Sequence, residues 1–309
     1  MRILKLKTFK NTLINEMNNM KKIVLSFLYS QKLGRNLAKK LNCEFSLVKI
    51  KAFPDKEKLI QLNADVKNKQ VIIVDSLYIP DEKILDICLT ADTAKDLGAK
   101  QMILVAPYLC YLRQDKRFHT GESISSKTIA KIISPFFSKL ITVDPHLHRY
   151  KSLGIIYRLK TKVLTANILI GEYIKKDYTN PIIIGPDEES YQWAEAIAKI
   201  AGAEVTVCKK TRFSSRKVKV LLKNNISIKS KEVVIVDDII STAHTMIEAV
   251  KHVKKYKPIS ITCIGVHGLF VENAYKKLKK AGADSIITTN SIPHITNKID
   301  LAGLISKEI

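Results

Sequence analysis

The sequence predicts an α/β protein made of two tandem copies of one unit, each a mainly parallel sheet flanked by helices. Three observations carry that prediction. Short, almost purely apolar runs of strand length alternate with segments of helical period along the chain, and strands of that purity belong to sheets covered on both faces. The chain also matches itself: residues 37–53, LAKKLNCEFSLVKIKAF, fall without a gap on residues 197–213, IAKIAGAEVTVCKKTRF, at a shift of about 160. Finally, 309 residues suffice for two hydrophobic cores.

Taken in order, residues 1–19 are basic and weakly amphipathic, without the continuous apolar stretch of a secretory signal. They read as a short arm, or as a start placed too early with Met20 the true first residue. KIVLSF, from Lys22, opens the first copy and falls on IIIGPD, from Ile182, in the second. VIIVDS, from Val71, meets VVIVDD, from Val233, and MILVAPY lies near CIGVHG. LITVDPH is a further buried strand of the first copy, and MIEAVKHVKK a helix of the second. The repeat divides the chain into residues 20–160 and 161–309. Where copy two has the paired acids and a Ser-Thr turn, copy one reads SLYIPDEK. Ligands of open α/β sheets gather beyond the carboxyl ends of strands, so copy two keeps a strand-end site that copy one has lost.

Composition narrows the partners. The formal charge of +23, from 52 Lys+Arg against 29 Asp+Glu, favours anionic ligands. The lysines are spread along the chain, and no basic stripe with interleaved aromatics speaks for nucleic acid. No apolar run approaches the roughly 18 residues of a membrane span. Five cysteines without a CxxC pair indicate neither a disulfide framework nor a zinc site. A cytoplasmic protein without membrane or nucleic-acid partners is the expectation.

The chemistry concentrates in VVIVDDIISTAHTM, residues 233–246. An apolar run meets two carboxylates, Asp237 and Asp238, and then Ser241, Thr242 and Thr245 precede a helix. Turn N–H groups at a helix N-terminus, with hydroxyls beside them, cradle a phosphate. The carboxylates suit sugar hydroxyls or a cation. A phosphate at one end and vicinal hydroxyls at the other describe a pentose 5-phosphate. Taken alone, the same residues also fit ordinary N-capping.

This strand-loop-helix resembles the ribose-phosphate loop of the type I phosphoribosyltransferase fold, and further motifs narrow the resemblance to the ribose-phosphate diphosphokinase (PRPP synthetase) family. YLCYLRQDKRFHTGESISSK, residues 108–127, is similar to that family's Arg-Gln-Asp-Lys-Arg segment. FPDKE resembles its nucleotide loop, TVDPHLHR carries its Asp-x-His, GPDEES its Pro-Asp turn and KKTR its Lys-x-Arg. The resemblance runs from about Met20 to the C-terminus and implies a tandem phosphoribosyltransferase-type architecture, ATP and ribose 5-phosphate as substrates, Mg²⁺ as cofactor and a homo-oligomer.

Residue by residue, it implies Lys210 and Arg212 as catalytic, and Phe53, Asp55, Glu57, Arg113, Gln114, Asp115 and Lys116 as the ATP site. Ribose phosphate goes to Asp237, Asp238, Ser241, Thr242, Ala243, His244 and Thr245, with His146 and Asp187 at the metal. His148 is a lesser metal candidate. Clustered guanidinium and ammonium groups suit a polyphosphate. Two positions depart from the family's pattern. Lys56 stands where a glycine is usual, a strain if its φ is positive; Ala243-His244 replaces a glycine-containing pair, tolerable if the φ of Ala243 is negative. These departures keep open a non-catalytic, regulatory relative or a different sugar-phosphate acceptor. A phosphoribosyltransferase that consumes PRPP needs only one copy of the unit.

Overall fold

The computed structural model describes residues 20–214, 217–222 and 227–309, giving the backbone alone between 209 and 222. The arm or misplaced start over residues 1–19 lies outside the described residues. One sheet comprises β1 (Lys22–Ser26), β2 (Glu44–Ala52), β3 (Lys58–Leu62), β4 (Gln70–Val74), β5 (Gln101–Val105), β6 (Lys139–Val143) and β7 (Lys160–Leu164). The other comprises β8 (Pro181–Gly185), β9 (Glu204–Ser214), β10 (Lys217–Leu222), β11 (Glu232–Ile240), β12 (Ser260–Gly268), β13 (Ser285–Thr289) and β14 (Asn297–Ile299). Their orders are β3-β2-β1-β4-β5-β6-β7 and β10-β9-β8-β11-β12-β13-β14. The second repeats the permutation of the first strand for strand, so the duplication seen in the sequence is also one of topology.

Burial explains the strands. Every residue of β4 (QVIIV) and β8 (PIIIG) is buried, as parallel strands covered on both faces must be. The exceptions to parallel pairing are the outer hairpins, β2 with β3 and β9 with β10. The described helices are α1 (Gln31–Leu41), α2 (Pro80–Asp96), α3 (Ser125–Ile133), α4 (Asn167–Asp177), α5 (Tyr191–Ala201), α6 (His244–Lys254), α7 (Ala274–Ala281) and α8 (Ala302–Ser306). In α1 the buried stripe includes Leu33, Leu37 and Ala38; in α5 it is Ala194, Ile197, Ala198 and Ala201. Leu37-Ala38 and Ile197-Ala198 are the pairs matched by the repeat. Both helices stop at a left-handed residue, Asn42 and Gly202.

Two compact units result. One holds the described residues through Thr142, then Leu147–Lys162 and Ile305–Ile309; the other holds Val143–His146 and Val163–Leu304. Each has its own apolar core, around Ile73, Leu104 and Leu140 in the first and Ile184, Ile235 and Val250 in the second. In each sheet the order reverses beside the first strand of the copy, between β1 and β4 and between β8 and β11. Loops there leave in opposite directions and open a crevice, the usual seat of a ligand. Among the described residues no helix is long and apolar enough to cross a membrane.

Candidate active site

In the second unit the reversal point gathers charge. β11 pairs with β8 only as far as Ile235 but stays in register with β12 to Ile240. Asp237 and Asp238 therefore lie within the strand, as the run VVIVDD implied, on the stretch that outruns β8. Asp187 follows β8 and closes a tight turn: Ser190 Oγ donates to its carbonyl at 2.7 Å, and Ser190 N donates to its carboxylate at 3.1 Å. Gly185 precedes that turn because a Cβ there would stand 2.6 Å from Ser190 Oγ. His146 brings Nδ1 to 3.4 Å from Asp238 Oδ2. His148 belongs to the other compact unit and is exposed, and the backbone around the two histidines forms neither helix nor strand.

The electrostatics are those of a cation site. Burial and the charges of Asp238 and Asp187 hold the Asp237 carboxyl well above the usual aspartate range. Burial works the same way on Asp238, but the hydrogen bond and charge of His146 outweigh it and leave that carboxyl low. Burial lifts Asp144 to about 6 although the Ala166 N–H binds its Oδ2 at 2.7 Å. A divalent cation would offset this clustered negative charge, so the donors fit a hard, oxygen-seeking ion. Among the described residues no group of three or more His, Cys, Asp or Glu is arranged to hold a metal by itself.

Past the acids the chain turns through Ser241 and Thr242 into α6, whose N-terminus carries no side-chain cap. His244 is exposed at the helix's first position and Thr245 is partly buried. Ala243 has φ +61, so the negative φ that would make alanine harmless here is not adopted. Left-handed alanine costs roughly 1 kcal/mol. Its methyl group is buried in the second core, which returns about 0.8 kcal/mol. Packing of the methyl group thus offsets most of the strain of the left-handed turn.

The equivalent crevice of the first unit is closed from within. Asp75 stands just past β4, where Asp237 stands in β11, and is buried. Ser30 Oγ donates to its Oδ1 at 2.6 Å, and Lys83 Nζ lies 3.9 Å from the same oxygen. Lys83 also donates to the Ser76 carbonyl and sits over the Tyr29 ring at 3.9 Å from its centroid. Burial lifts the Asp75 carboxyl to about 6 and lowers the Lys83 ammonium. The strand-end site of copy one is thus filled by its own ammonium group.

The remaining candidates of the first unit lie on two loops. Phe53, Asp55 and Glu57 form the β2–β3 turn: Lys56 N donates to the Phe53 carbonyl at 2.9 Å, and Glu57 N to Asp55 Oδ1 at 3.1 Å. Phe53 is 48% exposed, free to stack. Lys56 has φ +71, the left-handed position that follows a type I turn in a three-residue hairpin loop, where glycine is at home. Lys56→Gly is expected to stabilise the protein by about 1 kcal/mol, a rise in Tm of about 3 °C. A Tm by scanning calorimetry that stays put or falls would show an unstrained lysine.

On the second loop Arg113 and Lys116 are exposed, while Asp115 is buried and pairs with Arg149 at 2.8 Å. Glu122 organises the loop, accepting from Phe118 N, His119 N and Gln114 Nε2 at 2.8, 3.1 and 3.2 Å. Arg149 and Glu122 lie inside the quoted segments TVDPHLHR and YLCYLRQDKRFHTGESISSK, but the sequence assigns neither a role. Lys210 and Arg212 lie in β9 opposite Val220 and Val218 of β10. Their side chains lie outside the described residues.

Two family models match the chain: the N-terminal domain of ribose phosphate pyrophosphokinase over residues 23–136, and a phosphoribosyl transferase domain over residues 154–302. A ribose-phosphate pyrophosphokinase of Methanobrevibacter smithii is 34% identical over 289 residues, spanning 90% of this chain and 96% of that protein. One of Sulfurisphaera tokodaii is 30% identical over 293 residues, spanning 93% and 100%. The crystal structure of phosphoribosylpyrophosphate synthetase from Mycobacterium smegmatis shares the fold, with a TM-score of 0.79 at 21% identity, over 93% of this chain and 97% of that one.

Proposed function

The chain belongs to the ribose-phosphate pyrophosphokinase family, and we propose that its residues transfer the β,γ-diphosphoryl group of ATP to O1 of ribose 5-phosphate, releasing AMP and forming PRPP. The observation that carries the assignment of roles is the crevice between β8 and β11, with Asp187, Asp237 and Asp238 beside the uncapped N-terminus of α6. The 5-phosphate is held by turn and helix N–H groups with the hydroxyls of Ser241, Thr242 and Thr245 and the backbone of Ala243. His244 adds a donor at the rim. Asp237 and Asp238 take the ribose hydroxyls. Phe53 stacks on adenine, Asp55 and Glu57 accept from the base or its ribose, and Arg113, Gln114 and Lys116 bind the phosphates. Asp115 serves from beneath, through its buried pair with Arg149. Lys210 and Arg212 counter charge on the transferred group.

His146 and Asp187 would hold Mg²⁺ with the help of substrate phosphates, and the ion would neutralise the diphosphoryl oxygens. The chain works as a homo-oligomer in the cytoplasm, with functional domains at residues 20–160 and 161–309. Incubation with ATP, Mg²⁺ and ribose 5-phosphate, followed by phosphorus NMR, tests the reaction. AMP and PRPP rising together support it. AMP without PRPP means another acceptor, and nucleotide binding without turnover means a regulatory relative.

A further inference from the structure

His267 is a buried imidazole near the carboxyl end of the apolar strand β12, opposite Ile239 of β11 and one residue from the level of the paired acids. Its Nε2 lies 3.1 Å from the Val143 carbonyl oxygen and 3.2 Å from that of Asp144; its Nδ1 lies 2.9 Å from Ser291 Oγ. Carbonyls only accept, so the ring proton resides on Nε2 and Nδ1 is a bare acceptor. Ser291 must then donate to it. The hydroxyl has a single proton, so the Val266 carbonyl, 2.9 Å from Ser291 Oγ, is left with the Thr289 hydroxyl, which donates to it at 2.7 Å. Burial drives the His267 pKa down to about 4, which keeps this single-proton arrangement at neutral pH.

The two carbonyls so bound lead directly to His146. Between Asp144 and His148 the backbone forms neither helix nor strand, and Asp144 has φ +36, a left-handed conformation that needs outside support. That support comes from Asp144 N donating to the Leu164 carbonyl at 2.8 Å, Ala166 N donating to the Asp144 carboxylate, and the forked Nε2–H of His267. We propose that His267 is a positioning residue: aimed by Ser291, it clamps the Val143 and Asp144 carbonyls and so holds His146 beside Asp238. The proposal rests on the reading that His146 serves the reaction. The chemistry is that of an outer-shell partner, whose loss characteristically costs 10–100-fold in activity or metal affinity.

The test is a double-mutant cycle on the full chain. His267→Leu is expected to lower kcat by about 10–100-fold and to raise the Mg²⁺ concentration for half-activation, with the KM for ATP changed by less than about threefold. His267→Gln keeps a terminal N–H donor and is expected to recover most of the loss. In a His146→Ala background, His267→Leu should cost no more than about twofold further, because the clamp acts through His146. An equal loss in both backgrounds, or no recovery by glutamine, overturns the proposal. Full activity of His146→Ala alone overturns the reading beneath it, and is told apart by that single variant. If His267→Leu does not fold, Ser291→Ala takes its place, with a several-fold kcat loss expected that again vanishes in the His146→Ala background; undiminished kcat overturns the proposal.

Discussion

Replacing Lys210 and Arg212 together by alanine is expected to lower kcat by about 10³-fold or more while leaving ATP affinity within about tenfold. Diphosphoryl transfer asks little covalent chemistry of the protein, so catalysis lies in placing positive charge where it develops, and a single such arginine can carry 10³–10⁵ in rate. The backbone supports that role. β9 pairs with β8 only to Val207 and thereafter with β10 alone, so Lys210 and Arg212 lie on the part of the strand that outruns the parallel sheet. β11 outruns β8 in the same way where it carries Asp237 and Asp238. Steady-state rates by phosphorus NMR, with ATP binding by calorimetry, decide the matter. A double variant within tenfold of the wild-type kcat would remove both residues from the mechanism.

Asp237→Asn is expected to cost about 10²-fold or more in kcat, yet to raise Tm at pH 8 by a few degrees, the gain typical of relieving one unfavourable site. The sign follows from linkage. The folded-state pKa of Asp237 is raised by burial and by Asp238 and Asp187, so the folded chain binds its proton more tightly than the unfolded chain does. Below the ordinary aspartate pKa of about 4 both states are protonated and nothing is lost. Stability falls as pH rises above that value, and the loss is complete once the folded carboxyl ionises. Asparagine never ionises, so its advantage should be absent near pH 4 and full at pH 8. Asp75 and Asp144, each lifted to about 6 by burial, erode stability between about pH 4 and 6 in both proteins and cancel from the difference. Mg²⁺ should raise the wild-type Tm and have a smaller effect on the variant. A variant less stable than wild type across the whole range would mean that Asp237 is well compensated in the folded chain.

Much of this was readable from residues alone, for identifiable reasons. β4, β8 and the first half of β11 announce themselves because strands buried on both faces leave no room for polar residues. β3, β7, β10 and β14 do not, since edge strands are short, lysine-bearing and half-exposed where described. The paired acids stood out because charge interrupts an apolar run. His267 did not, because a histidine inside such a run is indistinguishable in sequence from one that merely fills the core. Asp75 hid for a different reason: the repeat sets it opposite Asp237, but as one acid without a hydroxyl turn it resembles an ordinary strand end, and its burial against Ser30 and Lys83 belongs to the folded chain. The sign of φ at Ala243 is a property of the folded turn, and the alanine itself pointed the other way.

The ammonium that fills the first unit's crevice also bears on the history of the duplication. Removing Lys83 alone strands the buried Asp75, and breaking one side of a buried pair costs up to about 3–5 kcal/mol, a large share of the 5–15 kcal/mol that holds a typical domain folded; removing Asp75 alone leaves the partly buried Lys83 its Ser76 carbonyl and Tyr29 ring. Clearing the crevice by removing Lys83 passes through a damaged protein, so the specialisation of the two copies works as a ratchet. The first copy is free to vary its loops, as the β2–β3 turn has done, but not to regain a sugar-phosphate site by single substitutions.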